Sequence, residues 1–302
     1  MKQARRIVNP TKLGSVGYRL IGTTDIDGNG TAHEIADLDP LVLFDFVRID
    51  PAKPMPHRPH PHHGLTAMSF LPQRGTWRAW DSLAGDTDDA LHAGGLYYVH
   101  AGRPAFHHEY AAPEAVAAGE IIEFVQLVWN ATDEDDVRTI VIQPDEVPVV
   151  SVGDARIRVL AGDIGGMSGA QPFSRRKILY GYVELDPGGA TTLDIPSSMN
   201  GMLFVIDGAI RSGDDVVGQH QMMIFGDDDR APMIENDAAG RETRFLIAAG
   251  EPVGRPFVKL LGVGGFIIGE NEAGVRQTME ELTAQSEALK REVPHYFSPE
   301  YR

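Results

Sequence analysis

The chain has 302 residues, and 27 Lys and Arg side chains stand against 43 Asp and Glu, which gives a formal net charge of −16. So acidic a chain repels phosphate backbones, and we expect no direct binding of nucleic acid. Cysteine is absent, which excludes disulfides, thiolate zinc sites and a cysteine nucleophile. No apolar run is long enough to predict a membrane span, and the first ten residues do not resemble a secretory signal, so we expect a cytoplasmic protein.

The distribution of turn residues predicts an all-β protein. Glycine and proline number 33 and 20 and are spread along the whole chain, with short apolar runs between them. Runs of this kind, rich in β-branched and aromatic side chains, are typical of strands in sandwiches and barrels. In chain order, the predicted strands are residues 41–48, 66–71, 96–100, 121–129, 139–142, 155–160, 177–184, 202–206, 221–225, 244–248 and 266–268.

The two halves of the chain resemble one another, which predicts two barrel domains. In each half a strand leads through a glycine turn into a second strand and, after another glycine, into a third. Pro144 and Pro148 interrupt the strand pattern, so we place one domain at residues 1–147 and the other at residues 148–302. The first half has histidines where the second has serine, methionine and asparagine, so we expect a histidine site in the first domain alone.

Only the end of the chain shows helical periodicity. Asn271 can cap a helix there, and Pro294 would end it. The apolar side chains of this segment recur at helical spacing, at Val275, Met279, Leu282 and Leu289.

Three acidic runs punctuate the chain, at residues 86–89, 133–136 and 227–229. We predict solvated loops at these places because the spacing of calcium-binding loops is absent. A cation site at one of them is the alternative.

Histidines are concentrated in one part of the chain, where eight of the 11 lie within residues 57–108. His60 and His62 stand in a proline-rich segment, which holds the backbone extended. Side chains at positions i and i+2 of an extended chain project to the same side, so His60 and His62 point together. The same alternation places His107 and Glu109 on one face of a second strand.

If these two strands are neighbours, three imidazoles and one carboxylate converge. Such a set suits Fe(II), Mn(II), Ni(II), Co(II), Cu(II) or Zn(II), and four protein ligands would leave positions open on an octahedral ion, as a catalytic site requires. The alternative for each histidine pair is a surface loop or a hydrogen-bonded core pair. His63 and His108 alternate out of the set and are predicted to pack elsewhere, while His57 and His100 are weaker candidates for contacts behind the ligands.

Two segments around these histidines resemble the metal motifs of the pirin family. The first is residues 60–65, His-Pro-His-His-Gly-Leu, followed by Ser-Phe-Leu at residues 69–71, and the second is residues 101–109, Ala-Gly-Arg-Pro-Ala-Phe-His-His-Glu. Residues 38–45 and 246–252 resemble further pirin segments, so the resemblance runs over nearly the whole chain. It implies a bicupin, in which two antiparallel β-barrels face one another.

The resemblance also implies a metal site in the N-terminal barrel. Its ligands would be His60, His62, His107 and Glu109, and its metal one divalent transition ion, with Fe(II) expected. Many cupins have their carboxylate ligand shortly after the His-x-His pair, where this chain has Thr66 and Ala67. Glu109 must therefore supply the carboxylate.

Two kinds of role follow from the resemblance. Some bacterial pirins are similar to quercetin 2,3-dioxygenases, which implies a flavonol and O2 as substrates and Glu109 as the base that takes the hydroxyl proton. Others are regulators that bind protein partners, which is the alternative, and a cupin isomerase or epimerase is a third. A flat aromatic substrate needs apolar walls. The candidates, each of which would otherwise be core, are Leu65, Phe70, Tyr97, Val99, Phe106 and Trp129.

Overall fold

Short β-strands make up most of the protein in the computed structural model, which describes residues 5–13, 17–21, 38–50, 58–87, 89–170, 176–226, 231–262 and 265–297. His57, which the sequence analysis named as a weaker candidate, and the acidic run 227–229 lie outside these residues. The predicted all-β fold with a C-terminal helix is confirmed. None of the helices in the described part of the chain has both the length and the apolar character that a membrane crossing requires.

The early strands are β1 Arg6–Val8, β2 Thr11–Leu13, β3 Gly17–Ile21, β4 Leu41–Ile49, β5 His60–His63, β6 Leu65–Phe70, β7 Thr76–Asp81, β8 Gly85–Asp86, β9 Leu91–His92, β10 Leu96–Ala101, β11 Ala105–Ala111, β12 Ile122–Asn130 and β13 Val137–Ile142. The later strands are β14 Val149–Val152, β15 Ala155–Ala161, β16 Asp163–Ile164, β17 Met167–Ser168, β18 Ile178–Leu185, β19 Ala190–Thr192, β20 Asn200–Asp207, β21 Ala209–Ser212, β22 Asp215–Gly218, β23 Met222–Ile224, β24 Met233–Asn236, β25 Thr243–Gly250, β26 Val258–Gly262 and β27 Gly265–Gly269. The helices are α1 Pro113–Ala118, α2 Glu272–Glu292 and α3 Pro294–Phe297.

The backbone contacts divide the chain into two units. The first unit contains the described residues of Leu43–Pro144 and Val253–Arg302, and the second contains those of Met1–Gly22, Thr31–Val42 and Asp145–Pro252. The sequence predicts a single boundary between residues 147 and 148. A division close to that point exists, but the C-terminal helix clusters with the first unit. A single cut in the chain therefore does not describe the two units.

Two sheets build the first unit. One contains the strand order β13-β10-β6-β12-β4, and the other has the order β26-β27-β5-β11-β7-β8, with β9 pairing with β7. Their inner faces meet, since the ring of Trp77 on β7 lies 5.3 Å from that of Phe124 on β12. The interior between these two sheets is where the predicted histidine site falls.

The C-terminal helix α2 packs on the outer face of the second of these sheets. Asn271 caps it by accepting a hydrogen bond from the Gly274 N–H at 2.9 Å. Buried side chains of the helices pack against side chains of the sheet in one apolar cluster, which contains Trp80, Phe106, Tyr110, Ile267, Val275, Leu282 and Tyr296. This contact is the physical reason why residues after 253 belong to the first unit.

A glycine turn lets β5 lie close to β27. Gly64 follows β5 with a φ of +67°, and a Cβ atom there would lie 2.2 Å from the Ile268 carbonyl oxygen. Any other residue would push β27 away, so this glycine helps to hold the strand that bears His60 and His62 in place.

The second unit also has two principal sheets, of orders β1-β23-β20-β25-β18-β15-β14 and β19-β24-β21-β22. Its core is a cluster of apolar side chains that includes Ile157, Leu203 and Phe245, each fully buried.

Candidate metal centre

Three histidines meet inside the first unit. Strand β11 pairs with β5 so that His107 lies opposite His60 and Ala105 lies opposite His62. The Nε2 atom of His107 is 2.9 Å from that of His62 and 3.0 Å from that of His60. The three nitrogens lie within 4.8 Å of one another and could hold a metal ion. Strand alternation and pairing thus bring together three of the four residues that the sequence predicts as ligands.

Backbone carbonyls orient two of these rings. The Nδ1 atom of His60 lies 2.8 Å from the Arg58 carbonyl oxygen, and that of His62 lies 3.1 Å from the Phe266 carbonyl oxygen. A carbonyl oxygen can only accept, so each Nδ1 carries the proton and donates it. In the neutral form of each ring, the Nε2 atom is then unprotonated and directs its lone pair toward the centre of the group.

This arrangement fits a metal ion. Lone pairs that face one another at such short distances repel unless a cation or a proton lies between them. Neutral imidazoles whose second nitrogen donates to a carbonyl are the usual form of histidine ligands. The donor set is therefore that of a borderline divalent transition metal.

Glu109 projects from the same face of β11 as His107, two residues further on. Burial raises the pKa of Glu109 from 4.5 to about 7, although the Ser69 hydroxyl and the Trp77 indole lie close enough to lower it. Its Oε1 atom has no aligned hydrogen-bond partner among the described residues. The carboxylate is not one of the ligand atoms that lie within 4.8 Å of one another. Coordination by Glu109 would require its carboxylate to move toward the three nitrogens.

Three polar side chains form a row across the opposite sheet. Tyr97 on β10 and Gln126 on β12 both pair with Ser69 on β6, so all three project to the same side. The Ser69 hydroxyl donates a hydrogen bond to Gln126 Oε1 at 2.9 Å. We call Ser69, Tyr97 and Gln126 the polar row. The ring of Tyr97 stacks at 6.0 Å from the ring of His107, which places the row beside the histidines.

Burial and the charges of Asp81 and Glu109 raise the pKa of Tyr97 well above its usual value. Its hydroxyl therefore stays protonated at neutral pH.

The neighbouring histidines point to the other side of their strands. His108 stacks on Tyr110 at 5.3 Å and lies edge-on to Tyr296 of α3 at 6.2 Å. Burial lowers the pKa of His63, and the charge of Glu281 on α2 opposes this shift. Both side chains therefore lie toward the C-terminal helices rather than in the interior.

The structure separates the predicted wall residues into two groups. Leu65 and Val99 share the inward face with Tyr97 and the polar row, as strand alternation requires. Phe70 and Trp129 lie on the opposite face, since Trp129 pairs with Thr66. Phe106 packs in the apolar cluster with the C-terminal helices. Phe70, Phe106 and Trp129 are therefore core residues and do not line the site.

A second group of potential ligands lies on the outward face of β10. His100 Nε2 is 3.1 Å from Asp136 Oδ1 and 3.6 Å from Glu134 Oε2, and its Nδ1 lies 2.7 Å from the Thr66 hydroxyl. Arg138 also pairs with Asp136, at 2.8 Å. Ion pairing accounts for this group, and it is separate from the three histidines. The prediction of a solvated loop is wrong for Glu134, which is 6% exposed.

Comparison with known proteins agrees with the fold and with the resemblance to pirins. Residues 180–286 match the family model of the pirin C-terminal cupin domain. Pirin-like protein 2 of Arabidopsis thaliana is 23% identical over 258 residues, which cover 81% of this chain and 74% of that protein. The resemblance to pirins is confirmed.

Solved structures are similar to the chain in fold. The chain is similar to quercetin 2,3-dioxygenase from Acinetobacter baumannii with a TM-score of 0.78 at 20% identity, covering 95% of this chain and 98% of that one. It is similar to the nickel(II) complex of a bacterial pirin from Escherichia coli with a TM-score of 0.62 at 14% identity, covering 82% and 100%. These similarities show the cupin fold.

Of three polar residues near Glu109, Ser69 belongs to the first pirin-like motif, whereas Trp77 and Gln126 carry no motif in the sequence. Ser69 and Trp77 lie beside its carboxylate, and Gln126 contacts Ser69. The place of Ser69 in that motif predicts no contact with Glu109, and nothing in the sequence marks Trp77 or Gln126 as site residues. Their common location depends on strand register, which the sequence does not define.

Proposed function

We propose that the protein is a metal-dependent dioxygenase of flavonol-like compounds that uses Fe(II). The observation that carries this proposal is the meeting of three imidazole Nε2 atoms, 2.9 and 3.0 Å apart in two pairs, inside one cupin unit. The likeness to a quercetin 2,3-dioxygenase supports the substrate class, and the nickel(II) complex of a bacterial pirin supports a divalent transition metal.

We propose His60, His62 and His107 as ligands, with Glu109 as the fourth. The carbonyls of Arg58 and Phe266 hold the first two rings in the tautomer that a metal requires. A bound metal ion would supply positive charge that stabilises a substrate oxyanion and open coordination positions for both reactants.

The residues around the histidines bind and orient the substrate. Glu109 accepts the proton of the substrate hydroxyl at Oε1, which has no other aligned partner among the described residues. Leu65 and Val99 lie on the inner face beside Tyr97 and provide apolar surface for a flat ring. Their burial also limits the access of water to the site.

Neighbouring histidines provide matched controls for the metal site. We expect the wild-type protein to bind about one equivalent of metal, and His62→Ala or His107→Ala to weaken binding by more than about 100-fold. His63 and His108 each adjoin a proposed ligand in sequence but point to the other face of their strand. His63→Ala and His108→Ala should therefore retain the metal. Elemental analysis of the purified variants measures this, and equal metal content in all four would refute the ligand assignment.

The activity is tested separately with loaded protein. Anaerobic loading with Fe(II), followed by quercetin in air, should release carbon monoxide, as ring opening by a quercetin dioxygenase implies. A protein that holds Fe, Ni, Mn, Co or Cu at these histidines but releases none would not be this dioxygenase. The role of a regulator that binds a protein partner would then be the one to examine, by recovery of a partner with metal-loaded protein. The cytoplasmic location and the lack of a nucleic-acid partner stay predictions.

A further inference from the structure

The polar row has more hydrogen-bond donors than the chain itself uses. Within it, the Ser69 hydroxyl donates to Gln126 Oε1. The Tyr97 hydroxyl and the Gln126 Nε2 group are buried and have no hydrogen-bond partner among the described residues. Each unpaired buried polar group costs about 1–3 kcal/mol, and such groups are rare in native proteins. The two unpaired donors are on the same face of one sheet, so a single acceptor group could pair with both.

The row faces the candidate metal centre. Tyr97 is 1% exposed, and its ring stacks on that of His107. Ser69, between the two donors, lies beside the Glu109 carboxylate. Gln126 retains partial exposure although it projects inward, so the interior is open to solvent on its side. A small molecule at the histidines would therefore lie within reach of the row.

The hydrogen-bond roles define the class of ligand. Tyr97 and Gln126 offer donors and require an oxygen that accepts, such as a carbonyl or an enolate. Glu109 Oε1 offers an acceptor and requires a hydroxyl that donates. A molecule with a hydroxyl group on the carbon next to a carbonyl satisfies both sides at once, whereas a hydrocarbon surface would satisfy neither.

We propose that Tyr97 and Gln126 form a subsite that binds the carbonyl oxygen of a hydroxyl–carbonyl ligand whose hydroxyl group lies toward Glu109. This inference rests on the proposed function for the position of the ligand, and it names two specificity residues that the pirin motifs do not contain. Tyr97 and Gln126 act in binding and touch the substrate, while the proton passes to Glu109.

Maltol is the probe, because it presents the hydroxyl and carbonyl groups on one small ring without the remainder of a flavonol. Its binding to metal-loaded protein without oxygen is measured by calorimetry. Tyr97→Phe should weaken binding about tenfold, since it removes one hydrogen bond to the ligand. Gln126→Glu replaces the amide donor with a carboxylate of the same shape and should weaken binding further.

Tyr98→Phe is the matched control. Tyr98 is as deeply buried as Tyr97 and adjoins it on β10, but its ring stacks on His100 on the other face of the sheet. This variant should bind maltol like wild type. Tyr97→Phe should also keep its metal content and its stability without ligand, because the hydroxyl it loses has no partner in the described protein.

The outcomes separate this inference from the proposed function. Failure of wild-type protein to bind maltol, or equal binding by Tyr97→Phe with the metal retained, overturns the subsite even if quercetin is consumed. Binding of maltol that depends on Tyr97, together with no turnover of quercetin, supports the subsite and overturns the dioxygenase.

Discussion

The interiors of the two units differ far more than their sheets do. In the second unit the inner faces meet in an apolar core of residues such as Ile157, Leu203 and Phe245. In the first unit, the inner faces of the sheets instead bear three histidines, Glu109 and the polar row. Buried apolar surface stabilises a fold, whereas buried polar groups without partners weaken it. The interior of the first unit therefore stabilises its fold less than the interior of the second unit does, at the place where a ligand can be bound.

The difference arises from few residues. The second half of the sequence has no histidines at the places that match His60 and His62, and the nearby Ile195 and Met199 belong to or pack against the apolar core. A pair of sheets with the same general design thus forms a site or a closed core according to which side chains occupy the inward positions. Function in this chain follows from those positions rather than from the fold.

Shortening an interior side chain should affect the two units very differently. Leu203→Ala opens a cavity in the fully buried core of the second unit and should lower the free energy of unfolding by about 2–5 kcal/mol. Ser69→Ala in the first unit removes one hydrogen bond and should cost less than about 1.5 kcal/mol. Urea denaturation of both variants tests this. If Ser69→Ala lowered the free energy of unfolding more than Leu203→Ala, the polar row would stabilise the fold. That result would contradict the difference described between the two interiors.

We expect Glu109, in the interior of the first unit, to titrate near neutral pH in metal-free protein. Burial raises the pKa of Glu109 from 4.5 to about 7, so between these values the folded protein binds a proton that the unfolded chain has lost. Stability therefore falls as the pH rises through this window, by about 3 kcal/mol, and no further above it.

Glu109→Gln should lack this pH dependence. The measurement is the free energy of unfolding of chelator-treated wild type and variant from pH 4 to pH 8, taken as the difference between the two curves. If the free energies of unfolding of wild type and variant differed by the same amount at every pH, the pKa of Glu109 would be the same in the folded and the unfolded protein. That result would contradict the prediction.

The smallest effect is expected at the ion pairs of the first unit's outer face. Burial raises the pKa of Asp136, but His100 and Arg138 outweigh this and lower it overall. A lowered pKa means that the stabilisation is present above the pKa of the unfolded chain and is lost as the pH falls through the folded value. Because Asp136 is largely solvated, Asp136→Asn should cost less than about 1 kcal/mol at neutral pH, and less still in acid.

Asp89→Asn, at an exposed position of the first unit, is the control and should have no measurable effect. Thermal unfolding at pH 7 and pH 3 compares the two variants. A loss of several kcal/mol, or retained metal binding at this group after His60 and His107 are replaced, would show that Asp136 does more than pair with its neighbours.

Local patterns predict much of the fold and three residues of the site. The predicted strand at residues 41–48 is observed as Leu41–Ile49, and the predicted helix begins after its cap at Asn271. Alternation in an extended chain, set by the prolines around His60, is enough to place His60 and His62 on one face. These features depend on residues that are close in sequence.

Features that depend on long-range contacts could not be predicted. The C-terminal helix clusters with the first unit because Val275 and Leu282 pack with Trp80 and Phe106, nearly two hundred residues earlier in the chain by the sequence numbering. The polar row exists because Tyr97 and Gln126 both pair with Ser69. A shift of one residue in either register would turn these side chains away from the interior, and the sequence alone does not specify that register.

The hydrogen bond from His62 to Phe266 has a consequence for the synthesis of the protein. Strand β27 lies parallel to β5, with Phe266 opposite His62, and the two residues are 204 positions apart. A chain that leaves the ribosome from its N-terminus exposes the histidine pair long before the carbonyl that orients one of its rings has been made. The group of three can therefore assume its final form only after Phe266 has been made, and products that end before this residue would lack it.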